Sequence, residues 1–304
     1  MQNREQLSLF SVGRYSGLDN YVQENKPDKL GNTLISYRDS SSILTPAKGF
    51  MGRYKFTLNP YSGCSFGCDY CYARFFSTNK EDLETWGQWV RVKENAVQLI
   101  RKARTTKNLD KRLAPDDTIY LSSVTDPYQA IEKYVGLTRK ILEELVDVQP
   151  RLTIQTRSPL VVRDIDILQK FQHRRVNITI STDSDEVRAK YEPHCPSIKS
   201  RLVAAQKLVE ANIPIGISIS PMLPILNAHE FGRILANLDA AEYVTQFCKP
   251  SRARFTSGTS TEFLMKLKED DWNEEKYRLA KTIIAQALGT GGVLLEGDEG
   301  YAPT

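Results

Sequence analysis

The sequence contains no run of about 18 apolar residues, so nothing in it reads as a membrane-spanning helix. The first residues, Met1-Gln-Asn-Arg-Glu-Gln6, lack the apolar core of a secretion signal. Charge of one sign is scarce as well: 41 Lys and Arg against 37 Asp and Glu leave a net charge of +4 over 304 residues. So small an excess permits contact with nucleic acid without arguing for it. No stripe of interleaved aromatic and basic residues, as single-strand binding requires, is present. Cysteine is sparse and odd in number, five in all. That argues against a disulfide framework and for a reducing, cytoplasmic setting in which thiols bind metal.

What is there is concentrated. Three of the five cysteines fall in Asn59-Pro-Tyr-Ser-Gly-Cys-Ser-Phe-Gly-Cys-Asp-Tyr-Cys-Tyr-Ala-Arg74. The CxxxCxxC spacing of Cys64, Cys68 and Cys71 lets one short loop aim three thiolates at one inorganic centre. A structural zinc or a closed cluster takes four ligands, so three leave a position open for substrate or cofactor. Gly63 and Gly67 allow the tight turn and bring backbone N–H groups near the centre. The alternatives are a zinc site completed by Cys195 or His194, or three ordinary thiols. Spacing, glycines and position after a strand favour an iron–sulfur cluster.

At 40% hydrophobic content the chain can bury a substantial core. Strands are predicted over 54–58, 118–122, 152–156, 176–181, 215–219 and 243–247. Helices are predicted over 94–104, 131–148, 164–171, 197–211, 228–238 and 273–288, the last ending at Gly289. Leu202, Ala205, Leu208 and Val209 are expected on the inner face of the helix over 197–211. Strands alternating with helices mean parallel βαβ units, and six units suit an α/β fold of the partial (β/α)6 barrel kind. Residues 1–50 read as a polar, irregular extension or lid, 51–250 as the barrel core, and 251–304 as a helical extension. The run 256–261 reads as a loop.

In such barrels the loops after the strands' carboxyl ends build the site. There the sequence puts the three cysteines, then Ser123, Thr125 and Asp126, then Arg157, then Ser181 and Asp183, and finally Cys248. This rim is polar, as a cleft for a polar cofactor must be.

The cysteine motif in its place after the first strand resembles the radical S-adenosylmethionine (radical SAM) superfamily. Asn59-Pro-Tyr-Ser-Gly-Cys64, Ser123-Val-Thr-Asp-Pro-Tyr-Gln129, Leu137-Thr-Arg139, Thr156-Arg-Ser158, Arg163-Asp-Ile165 and Ile213-Pro-Ile-Gly216 with Pro221 narrow the resemblance to the spore photoproduct lyase-like group. Members of that group are often labelled DNA repair photolyases. The resemblance implies a 4Fe–4S cluster on Cys64, Cys68 and Cys71. S-adenosylmethionine would chelate the open iron and be cleaved reductively to a 5′-deoxyadenosyl radical that acts on a substrate. It also implies Tyr70 near the adenine, Ser123, Thr125 and Asp126 beside the amino group, Arg157 facing the carboxylate, and Ser181 and Asp183 at the ribose. A small electron donor such as flavodoxin or ferredoxin would be the partner.

Each assignment has a plainer reading. Tyr70 could pack on the sheet, Asp126 could open a turn, Arg157 could pair with a surface acid, and Ser181 or Asp183 could cap a helix. Cys248 is a candidate hydrogen donor or a small buried apolar residue. The spore photoproduct lyases carry a donor cysteine near the end of an early strand. Leu121-Ser-Ser-Val-Thr-Asp126 has none, which speaks against thymine-dimer repair. A nucleic-acid repair or modification enzyme is one rival reading, with Arg101, Lys102, Arg104, Lys107, Lys111 and Arg112, or Arg252 and Arg254, as phosphate contacts, though a solvated helix end explains the first stretch equally well. A non-enzymatic cluster protein, sensing or carrying electrons, is the other.

Overall fold

The computed structural model describes residues 26–77, 79–248, 260–289 and 294–303. In chain order its strands are β1 (Lys29–Leu30), β2 (Thr33–Arg38), β3 (Leu44–Pro46), β4 (Phe56–Leu58), β5 (Tyr61–Ser62), β6 (Trp89–Lys93), β7 (Thr118–Leu121), β8 (Arg151–Thr156), β9 (Arg174–Thr179), β10 (Ile215–Ile219), β11 (Glu242–Thr245) and β12 (Leu294–Glu296). The main sheet runs β12-β11-β10-β9-β8-β7-β4-β3. The six predicted strands are β4 and β7 to β11, neighbours in chain order and all parallel. The antiparallel β3 and the parallel β12 form its two edges, so the barrel is open.

The two faces of these strands differ in chemistry, and the pleat explains it. Ile119, Leu121, Leu152, Ile154, Val176, Ile178, Ile217 and Ile219 join one apolar cluster with the helices. The opposite rows, matched in register, carry Tyr120, Thr153, Gln155, Asn177, Thr179, Ser218 and Val244. This inner face is knitted by hydrogen bonds: Tyr120 Oη to Gln155 Oε1 at 2.9 Å and Gln155 Nε2 to Thr179 Oγ1 at 2.6 Å. The carboxyl-terminal segment closes it. Tyr301 meets Ser218 Oγ at 2.9 Å, and Ala302 O accepts from Tyr54 Oη at 3.1 Å and Arg175 Nη2 at 2.7 Å.

Several elements depart from the sequence reading. Residues 29–46 are not irregular: they supply β1, β2 and β3. The pairing β1-β2-β6-β5 makes a second, four-stranded sheet, with β2 parallel to β6. β1 and β3 are short, and β2 finds its parallel partner β6 far along the chain, so local pattern carried little signal. The helix predicted over 131–148 is two, Glu132–Val135 and Leu137–Val146, separated by Gly136 in the left-handed region at φ 59°. A helix at Thr261–Glu269 starts where a loop was expected, capped by Ser260 Oγ accepting from Phe263 N. Residues 256–259, like Arg252 and Arg254, lie outside the described residues. Among the described residues no helix is long and apolar enough to cross a membrane.

Candidate active site

The cysteine loop leaves β5, and every neighbouring strand end is hydrogen-bonded to it or to the next. Asn59 joins the ends of β4 and β7: its Nδ2 donates to Ser123 Oγ at 3.3 Å and its Oδ1 accepts from Val124 N at 3.1 Å. Thr125 Oγ1 donates to Gly63 O at 2.6 Å, and Gln129 Oε1 accepts from Ser65 N at 2.9 Å. Asp126 links β7 to β8, accepting from Thr156 Oγ1 and Arg157 N, each at 2.8 Å. Arg157 Nη2 then donates to Tyr70 Oη at 3.1 Å, which brings the end of β8 back to the cysteine loop. Tyr70 Oη lies 3.4 Å from Ser181 Oγ, past the end of β9.

Space requires a glycine at Gly63, and at Gly67 the left-handed backbone favours one. Gly63 has φ 78°, and a Cβ there would stand 2.5 Å from Trp89 O. Gly67, at φ 56°, faces Gly87 so closely that a Cβ on Gly87 would be 2.8 Å from its Cα. Thus β6 and the turn before it, invisible to the sequence reading, form the wall against which the cysteine loop bends.

Cys64 and Cys68 are buried and Cys71 partly so. Burial pushes the Cys64 thiol well up, and pushes Cys71 up to about 11. Cys68 is lowered, chiefly by its contact with Cys195, whose Sγ is 3.5 Å away. The zinc reading needs four donors around one ion. Among the described residues no three His, Cys, Asp or Glu side chains converge in that way.

Behind the cysteines lies a buried charge hub the sequence reading missed. Glu192 accepts from Tyr70 Oη and, at 2.8 Å, from Ser181 Oγ, and pairs with Arg201. Arg201 also donates to Thr179 O at 3.1 Å and Pro196 O at 3.0 Å. Burial alone would raise the Glu192 carboxyl, but Arg201 and Arg157 outweigh it and hold it down to about 2. A signal for Arg201 existed. It follows Ile198 by three and precedes Ala205 by four on the inner face of the helix Ile198–Glu210, whereas Leu202 and Val209 are only half-buried.

The candidate residues therefore fall into groups. Tyr70, Arg157 and Ser181 meet at Glu192, and Arg157 pairs with this buried acid rather than a surface one. Arg157 Nε lies 3.6 Å from Glu192 Oε1 and has no hydrogen-bond acceptor among the described residues. Ser122 Oγ, at the end of β7, is likewise buried without a partner. Tyr70 packs edge-on to Phe263 of the helix Thr261–Glu269, with ring centroids 5.7 Å apart, and belongs to the main core cluster. Thr125 and Asp126 brace the loops, and burial raises the Asp126 carboxyl. Asp183 accepts from Leu226 N at 2.9 Å and Asn227 N at 2.7 Å, apart from that hub. The helix cap expected from Ser181 or Asp183 is made by Ser184 instead, whose Oγ accepts from Val187 N. Cys248 sits in the main apolar core, and burial raises its thiol well above the ordinary value.

Residues 58–238 match the model of the radical SAM superfamily. The chain belongs to the radical SAM superfamily of enzymes. An uncharacterized protein of Methanocaldococcus jannaschii is 39% identical over 172 residues, 57% of this chain and 62% of the relative. One from Acidianus two-tailed virus is 28% identical over 175 residues, 55% of this chain and 56% of the relative. The chain thus spans only about 56–62% of the length of these curated relatives. Among solved structures, spore photoproduct lyase complexed with dinucleoside spore photoproduct superposes with a TM-score of 0.58 at 17% identity, covering 86% of this chain and 81% of the other. That likeness is one of fold, and it is the partial barrel the sequence implied.

Proposed function

We propose that this radical SAM chain binds a 4Fe–4S cluster through Cys64, Cys68 and Cys71 and cleaves S-adenosylmethionine to drive a radical reaction. One observation carries the reading. The three-thiol loop is hydrogen-bonded to a buried hub, Arg157, Tyr70, Ser181 and Glu192, in which Arg157 Nε still lacks an acceptor. A buried donor without a partner is costly, and an anionic group such as a carboxylate would satisfy it. The donor set fits a cluster: three soft thiols, of which Cys64 and Cys71 are raised by burial and Cys68 is lowered by its contact with Cys195, would lose their protons to a cationic centre.

When bound, such a group supplies one-electron reductive cleavage of the sulfonium. This chain's residues do the rest. Arg157 would hold the carboxylate of the cofactor, Ser181 and Tyr70 would meet its nucleoside part, and the apolar packing of Phe263 on Tyr70 keeps water from that side. A small electron donor such as flavodoxin or ferredoxin would deliver the electron.

The test is anaerobic reconstitution with iron and sulfide, followed by reduction in the presence of S-adenosylmethionine. 5′-Deoxyadenosine is the expected product, and its absence under every reductant overturns the reading. Cys68→Ala should lose the cluster's visible absorption. A sensor or electron carrier would keep the cluster but bind no S-adenosylmethionine, which equilibrium binding distinguishes. In the basic stretch, Arg101 and Arg104 are engaged by Glu144 and Asp147, which lends that part of it no support as a phosphate contact.

A further inference from the structure

Cys195 has no part in the proposed cofactor site, yet its sulfur lies 3.5 Å from that of Cys68. The two loops are held side by side by bonds that do not involve sulfur. Asp69 N donates to Tyr191 O at 3.0 Å, which fixes the cysteine loop against the end of the helix Asp185–Tyr191. Cys195 itself is anchored at both backbone groups: its N–H donates to Glu192 O at 3.1 Å and its carbonyl accepts from Arg188 Nη1 at 3.2 Å. Pro193 and Pro196 flank it and restrict the chain further. The approach of the two thiols is thus set by the scaffold.

A disulfide needs its sulfurs about 2.05 Å apart, so the gap to close is about 1.5 Å, within reach of a small side-chain rotation. A cavity of about 520 Å³ abuts both loops, with Ser65, Phe66 and His194 among its lining residues. A small oxidant therefore comes within a few residues of each sulfur.

We propose that Cys68 and Cys195 are a thiol pair that closes to a disulfide in the cluster-free chain under peroxide, withholding Cys68 from iron until a dithiol reduces it. Hydrogen peroxide oxidises one thiol to a sulfenic acid and releases water. The second thiol attacks that sulfur, the S–S bond forms, and the hydroxyl leaves as a second water with the displaced proton. Two thiols and one peroxide give one disulfide and two waters. A dithiol reverses it by exchange, becoming oxidised itself. The withholding rests on the proposed role of Cys68 as a cluster ligand; the disulfide does not.

The experiment uses the full chain, metal-free and reduced, treated with hydrogen peroxide, alkylated, digested and read by mass spectrometry. A cross-linked pair of peptides containing Cys68 and Cys195 is expected, absent in Cys195→Ser and restored to free thiols by dithiothreitol. No such cross-link, or one confined to Cys64, Cys68 and Cys71, overturns the proposal. Iron uptake is then followed by visible absorption after the same treatment. Oxidised wild type should load severalfold more slowly than oxidised Cys195→Ser, and equal rates overturn the gating. If the cross-link forms but no untreated protein takes up iron, the thiol pair stands and the cluster assignment falls.

Discussion

Glu192 and Arg201 form an ion pair in which neither side chain has any exposure to solvent. Two charges removed from water survive only when each is fully paired, and here each has further partners: Ser181 and Tyr70 on the acid, two backbone carbonyls on the base. The pair thereby positions Ser181 and Tyr70, two side chains expected to meet the cofactor.

Glu192→Gln should consequently destabilise the metal-free protein by about 3–5 kcal/mol, since it leaves a buried guanidinium uncompensated. Arg201→Met should cost a comparable amount. The double variant should cost less than the sum, because neither charge remains alone. Denaturant unfolding measures all three, and additive losses would contradict the pairing.

Gly63→Ala places a Cβ 2.5 Å from Trp89 O at φ 78°, so it meets both a clash and a backbone penalty. Gly31→Ala, at φ 58° with nothing within 4 Å, meets only the backbone penalty. We expect Gly63→Ala to cost well over about 1 kcal/mol and to reduce iron retained after gel filtration, with Gly31→Ala near that figure and iron unchanged. Equal behaviour of the two would mean the cysteine loop does not lean on β6.

Lys93, at the end of β6, is pushed down to about 8 by burial. Its folded form therefore binds a proton less readily than the unfolded chain, whose lysines titrate at about 10.4. Between those values the unfolded state holds more protons, so stability should rise as pH increases from about 8 to 10.4. Below pH 8 the cost is fully present, at most about 3 kcal/mol. Lys93→Met should flatten that rise, read from unfolding midpoints across the window.

Tyr301→Phe removes the hydroxyl that meets Ser218 on the inner face of the sheet. A loss of about 1 kcal/mol is expected. Tyr301→Ala should cost about 3–5 kcal/mol, as large aromatic truncations do. Thermal unfolding separates the two, and a neutral Tyr301→Ala would mean the terminal segment does not close the barrel.

The family-like segments far from the cysteines turn out to have a structural use. Arg139 of Leu137-Thr-Arg139 and Arg163 of Arg163-Asp-Ile165 both engage the buried Asp164, at 3.1 and 2.8 Å. Arg163 also reaches Glu132 at 2.6 Å. Burial raises the Glu132 carboxyl, and Arg163 with Thr138 N works against it. Sequence could show that these segments resemble the family, but not that one buried acid joins them.

The sequence by itself determined the cysteine motif, the six parallel strands and most of the helices between them, because strand and helix periodicity and ligand spacing are local properties. Tertiary structure alone decided that β2 lies beside β6, that Gly63 and Gly67 bend against that wall, that Glu192 and Arg201 meet, and that Tyr301 reaches the inner face of the barrel. Each of these depends on side chains brought together by burial across loops, and a charged or aromatic residue read in isolation carries no mark of the partner that will meet it.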